Sequence, residues 1–89
     1  MITVIGTHEV KDAKAWKEAF DADKDNRTKH GIHVNGVYAG VEHPNMITIN
    51  MKFPSKEAFE GMINSPEMQK TMEAAGVISK PEFKILTEI

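Results

Sequence analysis

The sequence predicts an α+β fold, with strands and helices in the order βαββ(αα)β. Three observations carry that reading. Runs rich in β-branched residues, partly alternating in polarity, recur along the chain. Helix-capping residues stand ahead of the segments between them. Glycine or proline punctuates the ends of the elements.

Residues 2–9 set Ile2, Val4, Gly6 and His8 against Thr3, Ile5, Thr7 and Glu9, a first strand. Asp12 caps a helix from Ala13 to about His30, and Gly31 supplies its stop. The helix's inner stripe runs through Trp16, Ala19 and Phe20 and continues to Asp23 and Arg27. Two β-rich runs follow, residues 32–42 and 46–53, joined by His43-Pro44-Asn45 as a hairpin turn. Ser55 caps a short helix through Ile63. Ser65 caps another, with Pro66 in the first position, where its missing N–H costs nothing. That helix turns Met68, Met72 and Ala75 inward and stops at Gly76. Pro81 precedes a last strand, residues 82–89.

Helices between strands one and two, and again between three and four, form a split βαβ, the ferredoxin-like arrangement. One four-stranded antiparallel sheet in the order 4-1-3-2 then carries the helices on one face, as right-handed crossovers require. Hairpin parity puts Val34, Gly36, Tyr38 and Gly40 on the same helix-facing side as Ile47, Ile49, Met51 and Phe53. The other face collects Thr3, Ile5, Thr7, His33, Asn35, Val37, Ala39, Thr48, Asn50 and Leu86. Its mixed character suits a homodimer that packs two such faces together. A monomer with a weakly apolar solvent face is the other reading.

The 89 residues make one domain, 1–89, with 40% hydrophobic and 27% charged residues, a globular composition. A domain this small buries little surface and is commonly reinforced by disulfides, metals or oligomerisation. Without cysteine, disulfides and thiolate metal sites are excluded, which leaves oligomerisation. The net charge of −2, with lysines interleaved among acids, argues against a nucleic-acid partner. MITVIGTHEV lacks the basic start of a signal peptide, and no apolar run is long enough to span a membrane. The expected setting is the cytoplasm, with no membrane partner.

The opening MITVIG, W-x-x-x-F from Trp16 to Phe20, Tyr38, and the segments F-P-S-K-E, N-S-P-E-M and A-A-G-V together resemble the dimeric α+β barrel superfamily. Within it, the chain looks most like the antibiotic-biosynthesis-monooxygenase type and small cyclase-like bacterial proteins. The resemblance covers the whole chain and implies a ferredoxin-like protomer in a homodimeric barrel. In the enzymes of that superfamily, the site lies between the sheet and its helices. Its members include cofactor-free oxygenases, isomerase-like and haem-degrading enzymes and proteins with no known activity. The resemblance therefore implies a pocket and a dimer and not one reaction. The first expectation is a cofactor-free monooxygenase, cyclase or isomerase acting on a small aromatic, polyketide-like or lactone-like molecule. The haem-degrading branch carries an asparagine on its first strand and a tryptophan in its later helical region. Here Gly6 and Thr7 stand on the first strand, and the single tryptophan, Trp16, is in the first helix. No catalytic set carries over residue by residue.

His30 and His33 form an H-x-x-H, but His8, His30, His33 and His43 sit on elements that do not converge, so no metal site is expected. His8 and Tyr38 are the candidate catalytic pair, a base and an orienting phenol. Trp16, Phe20, Phe59, Met62 and Met72 are the candidate ligand-binding wall, for a small apolar or aromatic molecule. Glycines 6, 36 and 40 would leave the space beneath Trp16. Two readings of GVYAG stay open: close helix packing over Tyr38, or a pocket beside it. Correspondingly, the chain is either a pocket enzyme or a non-catalytic homodimeric binding protein. Asp23 and Arg27 have the spacing of a helical ion pair, with an anion-binding site as the other reading. They lie about 16 Å from Trp16 along the helix, apart from His8.

Overall fold

Asp12 is extended and its carboxylate accepts hydrogen bonds from the Lys14 and Ala15 amides, which starts the first helix one residue later. Around that cap, the computed structural model describes residues 1–89 as β1 (Ile2–Glu9), α1 (Ala13–Ala22), α2 (Lys24–Lys29), β2 (His33–Ala39), β3 (Met46–Phe53), α3 (Lys56–Ile63), α4 (Pro66–Ala74) and β4 (Glu82–Leu86). Ser55 and Ser65 cap α3 and α4 through their hydroxyls, and Pro66 opens α4 as its sequence position requires. Gly31 and Gly76 end their helical segments at φ +74° and +86°, a backbone region costly for any residue with a Cβ.

The four strands form one sheet in the order β2-β3-β1-β4, with β1 antiparallel to β3 and β4, and β2 antiparallel to β3. This is the 4-1-3-2 order read from the opposite edge. The helices pack on one face, and between them lies a core built on Val4, Val10, Trp16, Ile47, Ile49, Met51, Phe53 and Phe59. Only 11 of 89 residues are buried, so the single chain holds a thin core.

Three features differ from the sequence expectation. The first helix is interrupted at Asp23 (φ −91°, ψ 9°), whose N–H bonds back to the Phe20 carbonyl, so α1 and α2 replace one continuous helix. β2 and β4 are shorter at their ends than predicted.

The third difference changes the face of half a strand. Val34 pairs with Met51, but Gly36 pairs with Asn50, so Asn35 is an extra residue on β2. Side chains alternate with period two, and one added residue inverts everything beyond it. Val37 and Ala39 therefore pair with Ile49 and Ile47 on the helix side. Gly36 and Tyr38 pair with Asn50 and Thr48 on the open face. The helix-side placement of Tyr38 and Gly36 is corrected accordingly, as is the open-face placement of Val37 and Ala39.

Candidate functional site

Period-two alternation along β1 puts His8 on the helix face beside Gly6 and Val4. There it is buried, 6% exposed. Its ring meets Trp16 edge to face, with centroids 5.4 Å apart and planes at 63°. Trp16 stacks on Phe20 one helical turn later, centroids 4.9 Å apart at 20°. The helical spacing of four residues makes this aromatic shelf, since residues i and i+4 share a face.

Beneath the shelf a cavity of about 110 Å³ remains. Its floor is Gly6, His8, Ile49 and Met51 of the sheet; Phe83 of β4, Met68 and Met72 of α4, and Ala75 just after α4 close its sides. Asp23 and Arg27 line it as well. The expectation that these two stand apart from His8 is overturned. The cavity runs along the helix rather than sitting at its start.

His8 is the unusual group in this wall. Its Nε2 is buried and has no hydrogen-bond partner in the protein. An unsatisfied buried polar group costs about 1–3 kcal/mol. Burial also pushes the His8 pKa below its ordinary value of 6.5, because desolvation penalises the imidazolium. At neutral pH the ring is neutral, so it can accept a hydrogen bond or a proton.

Arg27 does not pair with Asp23. The two ion pairs of the chain are Lys17–Asp21 and Lys56–Glu60, both on exposed helix surface. Instead, the Arg27 guanidinium lies over the Phe20 ring, 3.7 Å from its centroid, and Nη1 donates to the Phe20 carbonyl at 2.6 Å. At the helix break the same carbonyl also accepts the Asp23 N–H, at 3.2 Å. Burial lowers the Arg27 pKa, and the carboxylates of Asp23 and Asp21 oppose that shift.

The predicted site residues thus divide. His8, Trp16, Phe20 and Met72 come together around one cavity. Phe59 is a core residue, edge to face with Phe53 and Phe83 at 5.2 and 5.0 Å, and does not line it. Met62 lines a separate, wider cleft of about 440 Å³ that reaches Asn26, His30 and Gly61. Asp23, Met68 and Thr71 border both spaces and form the partition between them. Tyr38 is not brought to His8: it is 57% exposed on the open face, and its ring covers Gly36. Gly40 lies in the hairpin, where its N–H donates to the Met46 carbonyl at 3.0 Å. Of the three glycines, only Gly6 lies under the aromatic shelf, and Phe83 fills its space.

Arg27 and Asp23 were legible on the inner stripe, but distance along the helix separated them from the site. Met68, Thr71 and Phe83 carried no sequence signal beyond ordinary amphipathicity. No three His, Asp or Glu side chains are grouped so as to hold a metal ion. No helix is long and apolar enough to cross a membrane.

Several solved structures are similar to this chain in fold. A conserved protein from Methanosarcina mazei Go1 superposes with TM-score 0.73 at 17% identity, covering 99% of this chain and 92% of that one. A candidate antibiotic biosynthesis monooxygenase from Nitrosomonas europaea gives TM-score 0.70 at 12% identity, covering 100% and 99%. An uncharacterised NIPSNAP domain protein from Burkholderia xenovorans gives 0.63 at 13%, covering 100% and 95%. The chain shares their fold. At these identities the likeness speaks for fold alone. No family model matches the chain, and no curated protein matches it.

Proposed function

We propose that this protein binds a small, planar, largely apolar molecule under the Trp16–Phe20 shelf, and that His8 takes a proton from it. The observation that carries this is the buried, unpartnered Nε2 of His8 in an otherwise apolar wall. A bound hydroxyl or acidic C–H supplies the partner that the protein withholds. At about 110 Å³ the cavity is smaller than the roughly 150 Å³ that accommodates benzene, which bounds the ligand at one small ring. That favours a one-ring aromatic or lactone-like molecule over a fused polyketide. A lowered pKa makes His8 a weak base, so its substrate is an activated phenol or a carbon acid beside a carbonyl.

Several neighbours in fold are named as candidate antibiotic biosynthesis monooxygenases. With them, the reading is a cofactor-free monooxygenase, cyclase or isomerase in which proton removal by His8 is the first step. The test is a panel of single-ring phenols and small lactones, followed by absorbance and oxygen consumption. Turnover should be lost in His8→Ala and kept in the surface variant Lys56→Ala. Equal turnover in both overturns the role of His8.

A non-catalytic ligand-binding protein is the second reading. Tyr38 favours it, since its place on the far face leaves His8 without the phenol expected beside it. Binding without turnover across the panel selects this reading.

The protein acts, in this proposal, as a homodimer formed through the open sheet faces. The thin core supports this, because small domains gain stability by association. So does the open face itself, where Tyr38 stands opposite Thr48, which shares a 3.1 Å hydroxyl bond with Thr7, and Ile5 and Leu86 add apolar surface further along the sheet.

A further inference from the structure

The geometry points to a carboxylate subsite at the Arg27 end of the pocket, so that the ligand is a small aromatic acid. This rests on the pocket reading above and narrows its substrate class.

A guanidinium carries five N–H donors in a fixed fork. At Arg27, one of the two terminal nitrogens donates to the Phe20 carbonyl, and no carboxylate pairs with the rest. The side chain is half-buried, held flat by the Phe20 ring, and lines the same cavity as His8. A cation fixed in this way has already lost the conformational freedom that binding an anion would otherwise cost. Its remaining donors match a planar carboxylate, which Arg accepts in a two-point contact.

The rest of the cavity is apolar apart from His8, Asp23 and Thr71, and suits a ring rather than a second charge. Phe20 joins the two functions. Its ring stacks on the Trp16 indole and also carries the Arg27 guanidinium. A benzoate-like molecule would set its ring against the Trp16–Phe20 stack within the cavity and its carboxylate against Arg27. Asp23 lines the same cavity and is the opposing charge, attracting Arg27 without pairing to it.

Trp16 is the single tryptophan, and it forms part of the wall, so its fluorescence reports occupancy directly. The experiment titrates the protein with benzoate and with benzamide, a neutral molecule of nearly the same shape. Benzoate should bind about tenfold or more tightly than benzamide, the scale of a charge-assisted hydrogen bond over a neutral one. That preference should vanish in Arg27→Gln, persist in part in Arg27→Lys and grow in Asp23→Asn. Equal binding of the two probes to the wild-type protein overturns the subsite while leaving the pocket in place. A preference unchanged in Asp23→Asn or retained in Arg27→Gln also overturns it. Binding of neither probe overturns the subsite and the pocket reading together. The wild-type comparison decides the matter even where Arg27→Gln does not fold.

Discussion

The His8 imidazole stands edge-on to the Trp16 indole at 5.4 Å, and this contact, with the burial around it, leaves the imidazole Nε2 without a partner. A polar atom in that position is a standing cost to the fold unless something binds it. The consequence is measurable without knowing the ligand.

Burial holds the His8 pKa below 6.5 in the folded protein. Between that lowered value and 6.5, the unfolded chain binds more protons than the folded one. Stability is therefore full above about pH 6.5 and is lost as pH falls through the folded value. Urea unfolding at pH 7.5 and at pH 5.5 should give a lower stability at the more acidic pH. In His8→Leu the difference should shrink. An equal drop in the variant would assign the pH dependence to other groups.

Gly6 and Gly36 should respond differently to alanine. A Cβ on Gly6 would stand 2.8 Å from the Phe83 ring, which is wedged against Phe59. Gly6→Ala should cost about 1–3 kcal/mol, as overpacking does. At Gly36 the Cβ would meet the hydroxyl end of Tyr38, an exposed side chain that can swing away. Gly36→Ala should stay within about 0.5 kcal/mol of wild type. Thermal or chemical unfolding of the two variants checks the pair.

Phe59 was expected in the pocket and is instead a core support. Phe59→Ala should destabilise the protein by about 3–5 kcal/mol, as buried aromatic truncations do. Met62→Ala, outside the inner cavity, should leave probe binding at Trp16 unchanged. A large loss of binding in Met62→Ala would show that the outer cleft takes part.

If the open faces pair, light scattering should give about twice the 9.9 kDa of one chain. Leu86 is 45% exposed on that face, and Leu86→Glu should shift the population to monomer. A wild-type protein that is monomeric at high concentration would remove the homodimer from the account.

Most of the fold was legible because its signals are local. Asp12, Ser55 and Ser65-Pro66 start helices by hydrogen bonds made within three residues, and Gly31 and Gly76 stop them by φ alone. The side of β1 that carries His8 follows from period two with no interruption. β2 breaks the same rule at Asn35. The bulge leaves no mark on the alternation of Val34, Asn35 and Gly36, and a single extra residue moved Tyr38 to the opposite face. The cavity was partly legible for a related reason. Trp16, Phe20 and Met72 announce themselves by spacing. The break at Asp23, across which Arg27 meets Phe20, involves neither glycine nor proline.

The central claim is that the space beside His8 is a binding site for a small ring. The most direct test is a high-resolution crystal structure of the protein soaked with phenol, judged at the cavity between Trp16, Phe20 and Met72. The account predicts a ring under the Trp16–Phe20 shelf with its hydroxyl within hydrogen-bond distance of His8 Nε2. A cavity closed by Trp16 and Met72, with His8 Nε2 paired to the protein itself, would contradict it.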